Sequence, residues 1–443
     1  MKTKSLIKPK SFDLELVITF LLLLYYVGTF DIKNPIGNIP SVDYSPQRSL
    51  IEQVIAPLSY ILVPWLISRK WKLCLYLVTR DLPLFCLLVL ANLSIIWSGF
   101  ALDSNISNIR GLLLSTMFGV YLAARFSIKE QTRMLAGVFG IVVPLSIFVA
   151  LFVPGYGVHG GHLSGWTGIF EHKNTLGAHM AWSASILLSL GLSIQRNNLV
   201  RIFLWVGFAL SSLLVFLAGS AGGIVNLVCV IAIVPLSKFF RKTYYKLQVV
   251  LTVGLTLLTV GLFYLLAANL ETVAGLLGKD LTFSGRLPMW SELFGRYVVQ
   301  KPLFGYGLNG FWETEYGQFF RARWVWEEVP HSHNGFVELI LAVGLIGFSL
   351  FLVSFILLSI GAYHQAYTAE VLEDILPLQF VVTFLLANLS ESRLLISNNI
   401  YWIFYVAVSM SLILVRVRDR KLKQLDKSAR KTRKYPKKAV EAK

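Results

Sequence analysis

Charge is scarce in this chain: only 15% of its 443 residues are Asp, Glu, Lys or Arg, while 55% are hydrophobic. A water-surrounded globule of this length needs a far more polar surface, so that class is excluded and the solvent is lipid. Cysteine is nearly absent. Cys74, Cys86 and Cys229 fall in or beside apolar runs or on the expected cytoplasmic side, which excludes a disulfide framework or a cysteine metal site in the external loops. No appended polar domain and no internal repeat breaks the pattern.

What the sequence does contain is apolar segments close to the roughly 17–25 residues that cross a bilayer. Twelve are read: Leu14 to Phe30, Ile51 to Ile67, Leu82 to Trp97, Ile106 to Ala124, Met134 to Val153, Thr175 to Ser193, Ile202 to Ala218, Gly222 to Leu236, Gln248 to Ala268, Asn334 to Leu358, Ile375 to Leu389 and Asn399 to Val415. The expected fold is an all-α polytopic membrane protein of about twelve helices. The first run lacks a small-residue cleavage site and is read as a retained helix.

Basic connections resist translocation and set the orientation. Lys2, Lys4, Lys8 and Lys10, then Arg69 to Arg80, Arg125 to Arg133, Arg196 with Arg201, and Lys238 to Lys246 alternate with connections poor in Lys and Arg. Both termini are therefore expected in the cytoplasm. The connection Gly361 to Asp374 breaks the rule, with three acids and no Lys or Arg. The last segment, 416–443, carries thirteen Lys or Arg against three acids out of a net charge of +17. Directly after a membrane helix, such a tail pairs with anionic lipid rather than nucleic acid. Residues 1–415 read as one transmembrane domain and 416–443 as a basic cytoplasmic tail.

Polar chemistry gathers outside. The longest interruption, 269–334, lies between the ninth and tenth runs and holds Arg286, Arg296, Arg321, Arg323, Glu313, Glu315, Trp290, Trp312, Trp324, Trp326, His331, His333 and Asn334. A loop of that length in a compact protein is usually functional. A second external stretch, Pro154 to Asn174, has six glycines with His159, His162, His172 and Lys173. No pair of its histidines has the helical spacing of a zinc motif, and no metal is expected. The turn Gly219 to Gly223, and Glu391-Ser392-Arg393 before the last run, complete the external polar set. Glu391 and Arg393 read equally well as a structural ion pair or as functional groups. The tryptophans read equally as sugar-stacking surface or interfacial belt.

Gly285-Arg286-Leu287-Pro288-Met289-Trp290, Lys301-Pro302-Leu303-Phe304-Gly305-Tyr306-Gly307, and His331-Ser332-His333-Asn334 followed by Gly344-Leu345-Ile346-Gly347 resemble, in order and spacing, the signature region of the O-antigen ligase and polymerase family. Gly168-Ile169-Phe170-Glu171-His172-Lys173-Asn174-Thr175-Leu176-Gly177 and Glu391-Ser392-Arg393 with Trp402 are most similar to the branch that includes exopolysaccharide polymerases. Many members read Ser-Arg in the turn after the seventh helix, where this chain has Ser220-Ala221.

The resemblance implies a bacterial inner-membrane glycosyltransferase that moves a glycan from a polyprenyl (undecaprenyl) pyrophosphate donor to an acceptor sugar hydroxyl outside the membrane. Partners of that reading are the lipid-linked donor, a glycan or lipid-linked acceptor and other polysaccharide assembly proteins, with no cofactor. On it Arg286 grips the pyrophosphate and His333 is the base. Lys173, His172, Asn174, His331, Asn334, Trp290, Glu391 and Arg393 contact substrate, with His331 the second choice of base and Lys173 a stand-in for the missing arginine. The residue types suit the chemistry, because Arg offers a planar fork to phosphate and His titrates near neutrality. Taken singly, Arg286 snorkelling to headgroups and His333 capping the tenth helix remain open. Two other functions remain open as well: a twelve-helix transporter and a non-catalytic partner of an assembly complex.

Overall fold

The computed structural model describes residues 13–29, 50–98, 102–159, 164–193, 197–241, 286–323 and 331–434. Described helices are α1 Leu14–Val27, α2 Leu50–Ser68, α3 Trp71–Val78, α4 Leu82–Leu93, α5 Leu102–Arg125, α6 Ile128–Phe152, α7 Pro154–Gly157, α8 Lys173–Ser193, α9 Asn198–Ala218, α10 Ala221–Arg241, α11 Arg286–Glu292, α12 Glu315–Arg323, α13 Gly335–Thr368, α14 Leu376–Ser390 and α15 Ile400–Lys434. The only described strands are Val158–His159 and Gly165–Trp166, paired antiparallel.

The protein is all-α and polytopic. Seven described helices are long and apolar enough to cross a membrane, or eight when Trp71–Val78 and Leu82–Ile96 count as one bent span. Leu14–Val27, Gln53–Ser68 and Ala221–Pro235 are apolar but shorter. The expected run at 248–268, His162, Trp324, Trp326 and the lysines before residue 13 lie outside the described residues. The segment between Arg69 and Arg80, read from sequence as a connection, folds as α3 because its apolar residues Cys74 and Leu77 are buried in the main core.

Most buried of the spanning helices is α8. Its small residues let neighbours approach closely, the usual basis of helix association in lipid. A Cβ on Gly223 of α10 would stand 2.9 Å from the Gly177 Cα, and one on Gly177 would stand 2.9 Å from the Ser220 Cβ. That tight crossing brings the start of α8 against the start of α10.

Ion pairs gather at one end of the bundle. Arg69 and Arg125 bind Glu15 at 2.6 and 3.0 Å. Arg133 holds Glu373 at 2.8 Å and Lys129 holds Asp374 at 3.4 Å. The acidic connection that breaks the charge rule therefore lies at the same end as the basic ones, with two of its three carboxylates, Glu373 and Asp374, matched to cations.

At the other end, α13 breaks at Gly344, where φ is 66° and ψ −169°, a conformation open essentially to glycine. A break at membrane depth frees backbone groups that lipid cannot satisfy. Residues 302–307 satisfy them: Tyr306 and Gly307 N–H donate to the Leu341 and Ala342 carbonyls (2.7 and 2.9 Å), and Leu345 and Ile346 N–H donate to those of Pro302 and Leu303 (2.8 and 3.2 Å). The loop thus replaces the missing helical hydrogen bonds. Gly344→Ala is expected to lose about 1–3 kcal/mol from backbone strain alone, and its Cβ would meet the Leu303 carbonyl oxygen at 2.2 Å. Thermal melting in detergent should fall by several degrees with new protease cleavage at 301–307; an unchanged melt would mean the break is not needed.

Candidate active site

The docked loop builds a small core of its own. Met289, Leu293, Tyr297, Tyr306, Phe311 and Phe320 bury one another against the first turns of α13. This core fixes α11, and with it Arg286, relative to the residues that open α13.

Those residues are held individually. Asn334 is the N-cap, its Oδ1 accepting from the Phe336 and Val337 N–H groups at 2.9 and 3.3 Å. Capping therefore falls to Asn334 and not to its neighbour. Ser332 is clamped on both backbone groups, its N–H donating to Glu338 Oε2 (3.0 Å) and its carbonyl accepting from Trp290 Nε1 (2.8 Å). Trp312 Nε1 donates to the other Glu338 oxygen at 2.6 Å. His333 has a φ of 49°, uncommon for a side-chain-bearing residue, and its N–H donates to His331 Nδ1 at 3.1 Å.

Glu391, buried at the end of α14, is the hub. Its Oε1 accepts from Asn174 Nδ2 at 2.8 Å and lies 3.6 Å from Arg286 Nη2. Its Oε2 faces His333 Nδ1 at 3.3 Å and His331 Nε2 at 3.6 Å. Arg286 Nη1 donates to the Ser390 carbonyl at 2.9 Å. Ser220, in the α9–α10 turn, donates its hydroxyl to Asn174 Oδ1 at 2.9 Å. Arg393 reaches Thr175 Oγ1 with Nη2 at 2.7 Å, and its Nε is buried without a hydrogen-bond partner. Close approach again depends on a missing side chain, since a Cβ on Gly335 would sit 2.0 Å from Asn388 Oδ1.

Burial by itself would push the Glu391 carboxyl up. The hydrogen bond and charge of His333, with the charges of His331 and Arg393, overcome it and hold the group well below the usual carboxylate range. With Glu391 ionised, a neutral His333 is favoured as the tautomer that carries its hydrogen on Nδ1, which leaves the lone pair on Nε2.

His331, His333 and Glu391 could chelate a metal by distance, each offering an atom within 4.8 Å of the others. His331 Nδ1 accepts the His333 N–H, so a neutral His331 carries its own hydrogen on Nε2, the nitrogen turned to Glu391. With hydrogen on both nitrogens facing the carboxylate the three groups form a hydrogen-bonded network, and a metal would have to displace those hydrogens.

Of the residues singled out in the sequence, Arg286, His331, His333, Asn174 and Glu391 meet in one cluster, with Asn334 and Trp290 supporting it through the backbone. His172 and Lys173 border it: His172 Nδ1 accepts the Asn174 N–H at 3.2 Å and Lys173 Nζ donates to the Ser164 carbonyl at 3.3 Å. Glu338 was not singled out, although an acid in the first turn of a long apolar helix was the available signal. The Ser220–Asn174–Glu391 chain joins three distant segments and had no local signature.

The arrangement defines an integral membrane protein whose polar site, with a carboxylate-oriented histidine beside an arginine, lies at the end of the bundle opposite the ion-pair network. Residues 206–352 match the profile described as O-antigen ligase. A 91-residue stretch is 32% identical to the exopolysaccharide production protein ExoQ of Rhizobium meliloti, a match covering 19% of this chain and 20% of that protein. The two matches support an O-antigen ligase and polymerase family for this chain. Arg286, His331, His333 and Gly344 lie inside the profile match, whereas Asn174, Glu391 and Arg393 lie outside it.

Proposed function

We propose that this protein is a glycosyltransferase of surface polysaccharide assembly that moves a glycan from a polyprenyl pyrophosphate to an acceptor sugar hydroxyl, on the extracytoplasmic face of a bacterial inner membrane that it crosses about twelve times with both termini inside. The observation that carries the reading is the junction of His333, Glu391 and Arg286 on one buried carboxylate. His333 Nε2 takes the acceptor hydroxyl proton as that oxygen bonds the anomeric carbon and the bond from that carbon to the phosphate oxygen breaks. The electron pair leaves with the polyprenyl pyrophosphate, whose added charge Arg286 neutralises. Glu391 orients His333 and stabilises the imidazolium that forms, and Asn174 with Ser220 orients Glu391.

Arg393 supplies the second cation. It stands beside the same carboxylate and has an unpartnered Nε, so it meets the need left by Ala221 better than Lys173, whose ammonium leans on a backbone carbonyl. His172, His331, Asn334 and Trp290 shape the surrounding sugar surface. A carrier would instead bind near mid-membrane, commonly between paired halves.

Deleting the gene and comparing surface glycan length with the amount joined to its final anchor tests the reading. Loss of long chains is expected of a polymerase, and long chains stranded on the lipid carrier are expected of a ligase. Unchanged length and anchoring would overturn both.

A further inference from the structure

The bend after α3 opens a second feature, away from the polar site. Trp71–Val78 meets Leu82–Ile96 at 92°. Cations flank the short helix at both ends, Arg69, Lys70 and Lys72 at one and Arg80 at the other, and no acid lies between Ser68 and Arg80. Charge at both ends holds both at headgroup level, so α3 lies along the membrane surface and does not dip into it.

Under the bend lies a groove of about 640 Å³, lined by α3 (Trp71, Cys74), α4 (Leu88, Val89) and α5 (Leu113, Met117). Its size falls within the roughly 300–1,000 Å³ of ligand sites. Its lining is almost wholly apolar, and the cations stand only along its α3 wall. Lys72 Nζ sits 5.7 Å from the centre of the Trp71 ring, which is itself part of the lining. Arg80 is stacked 4.9 Å over Tyr76. Arg69 is taken by Glu15, but Lys70, Lys72 and Arg80 form no ion pair with a carboxylate among the described residues.

We propose that this groove holds one acyl chain of an anionic phospholipid of the cytoplasmic leaflet, with its headgroup bound by Lys70, Lys72 and Arg80. Charge complementarity selects this occupant. The polyprenyl carrier would be the wrong way round, because its pyrophosphate belongs at the Arg286 end while the groove's cations lie at the other.

Native mass spectrometry of the delipidated full-length protein in detergent tests the site without reference to transfer activity. Phosphatidylglycerol is expected to bind roughly tenfold more tightly than phosphatidylcholine of the same chains. K70Q/K72Q/R80Q should erase that preference. Val89→Trp with Leu113→Trp, both lipid-facing in the groove, should weaken both lipids, while Leu352→Trp, equally exposed on α13, should not. Equal binding of the two lipids by the wild type, wild-type binding by the filled groove, or displacement of phosphatidylglycerol by undecaprenyl phosphate would each overturn the proposal. Should the filled variant misfold, the wild-type comparison and the triple variant of exposed side chains still decide.

Discussion

His333→Ala is expected to abolish detectable glycan transfer while leaving the protein folded. A positioned base contributes roughly a hundred- to ten-thousand-fold to a rate, and alanine removes it without touching the helix cap, which belongs to Asn334. The left-handed backbone at His333 accepts histidine somewhat more readily than alanine, so the substitution costs about 1 kcal/mol of stability there, too little to unfold the protein. The measurement is turnover of lipid-linked donor and acceptor by purified protein in nanodiscs, with donor binding followed separately. Lost turnover with donor binding retained is the expected pair of results. Turnover within a few-fold of wild type would remove His333 from the chemistry and make His331→Ala the next variant, since its ring stacks edge-on at 4.2 Å and faces the same carboxylate.

Arg286→Lys should be nearly as damaging as Arg286→Ala, a loss of roughly ten- to a hundredfold in transfer. The guanidinium uses both ends, with Nη1 on the Ser390 carbonyl and Nη2 toward Glu391. A lysine ammonium is a single point on a flexible stem and cannot keep that anchor while presenting a fork to a phosphate. Near-normal output from the lysine variant would reduce Arg286 to a generic surface charge. Both variants leave the aromatic core under α11 intact, so a changed melting temperature would mark a structural effect and not a chemical one.

Much of this was legible in the residues themselves. Apolar runs fix helices in lipid because the backbone must satisfy itself there. Eleven of the twelve runs fall on described helices, though only seven or eight of these helices reach spanning length. Arg286, His331 and His333 stood out through the family resemblance of their segments, and their residue types suit phosphate binding and proton transfer.

Other features depended on position in space. Gly305, Gly307 and Gly344 stood in the sequence as parts of a motif; the structure shows that they let a loop backbone replace the hydrogen bonds of a broken helix. Glu391 read equally as an ion pair of the last connection, and only packing brought it to Asn174, 217 positions away, and to His333, 58 positions away. Hydrophobic periodicity is a local property and fixes which segments become helices and where polar groups cannot go. Which nitrogen of His333 is basic, and which carboxylate makes it so, depends on contacts between segments distant in the chain, and these exist only after α8, α10, α13 and α14 have packed.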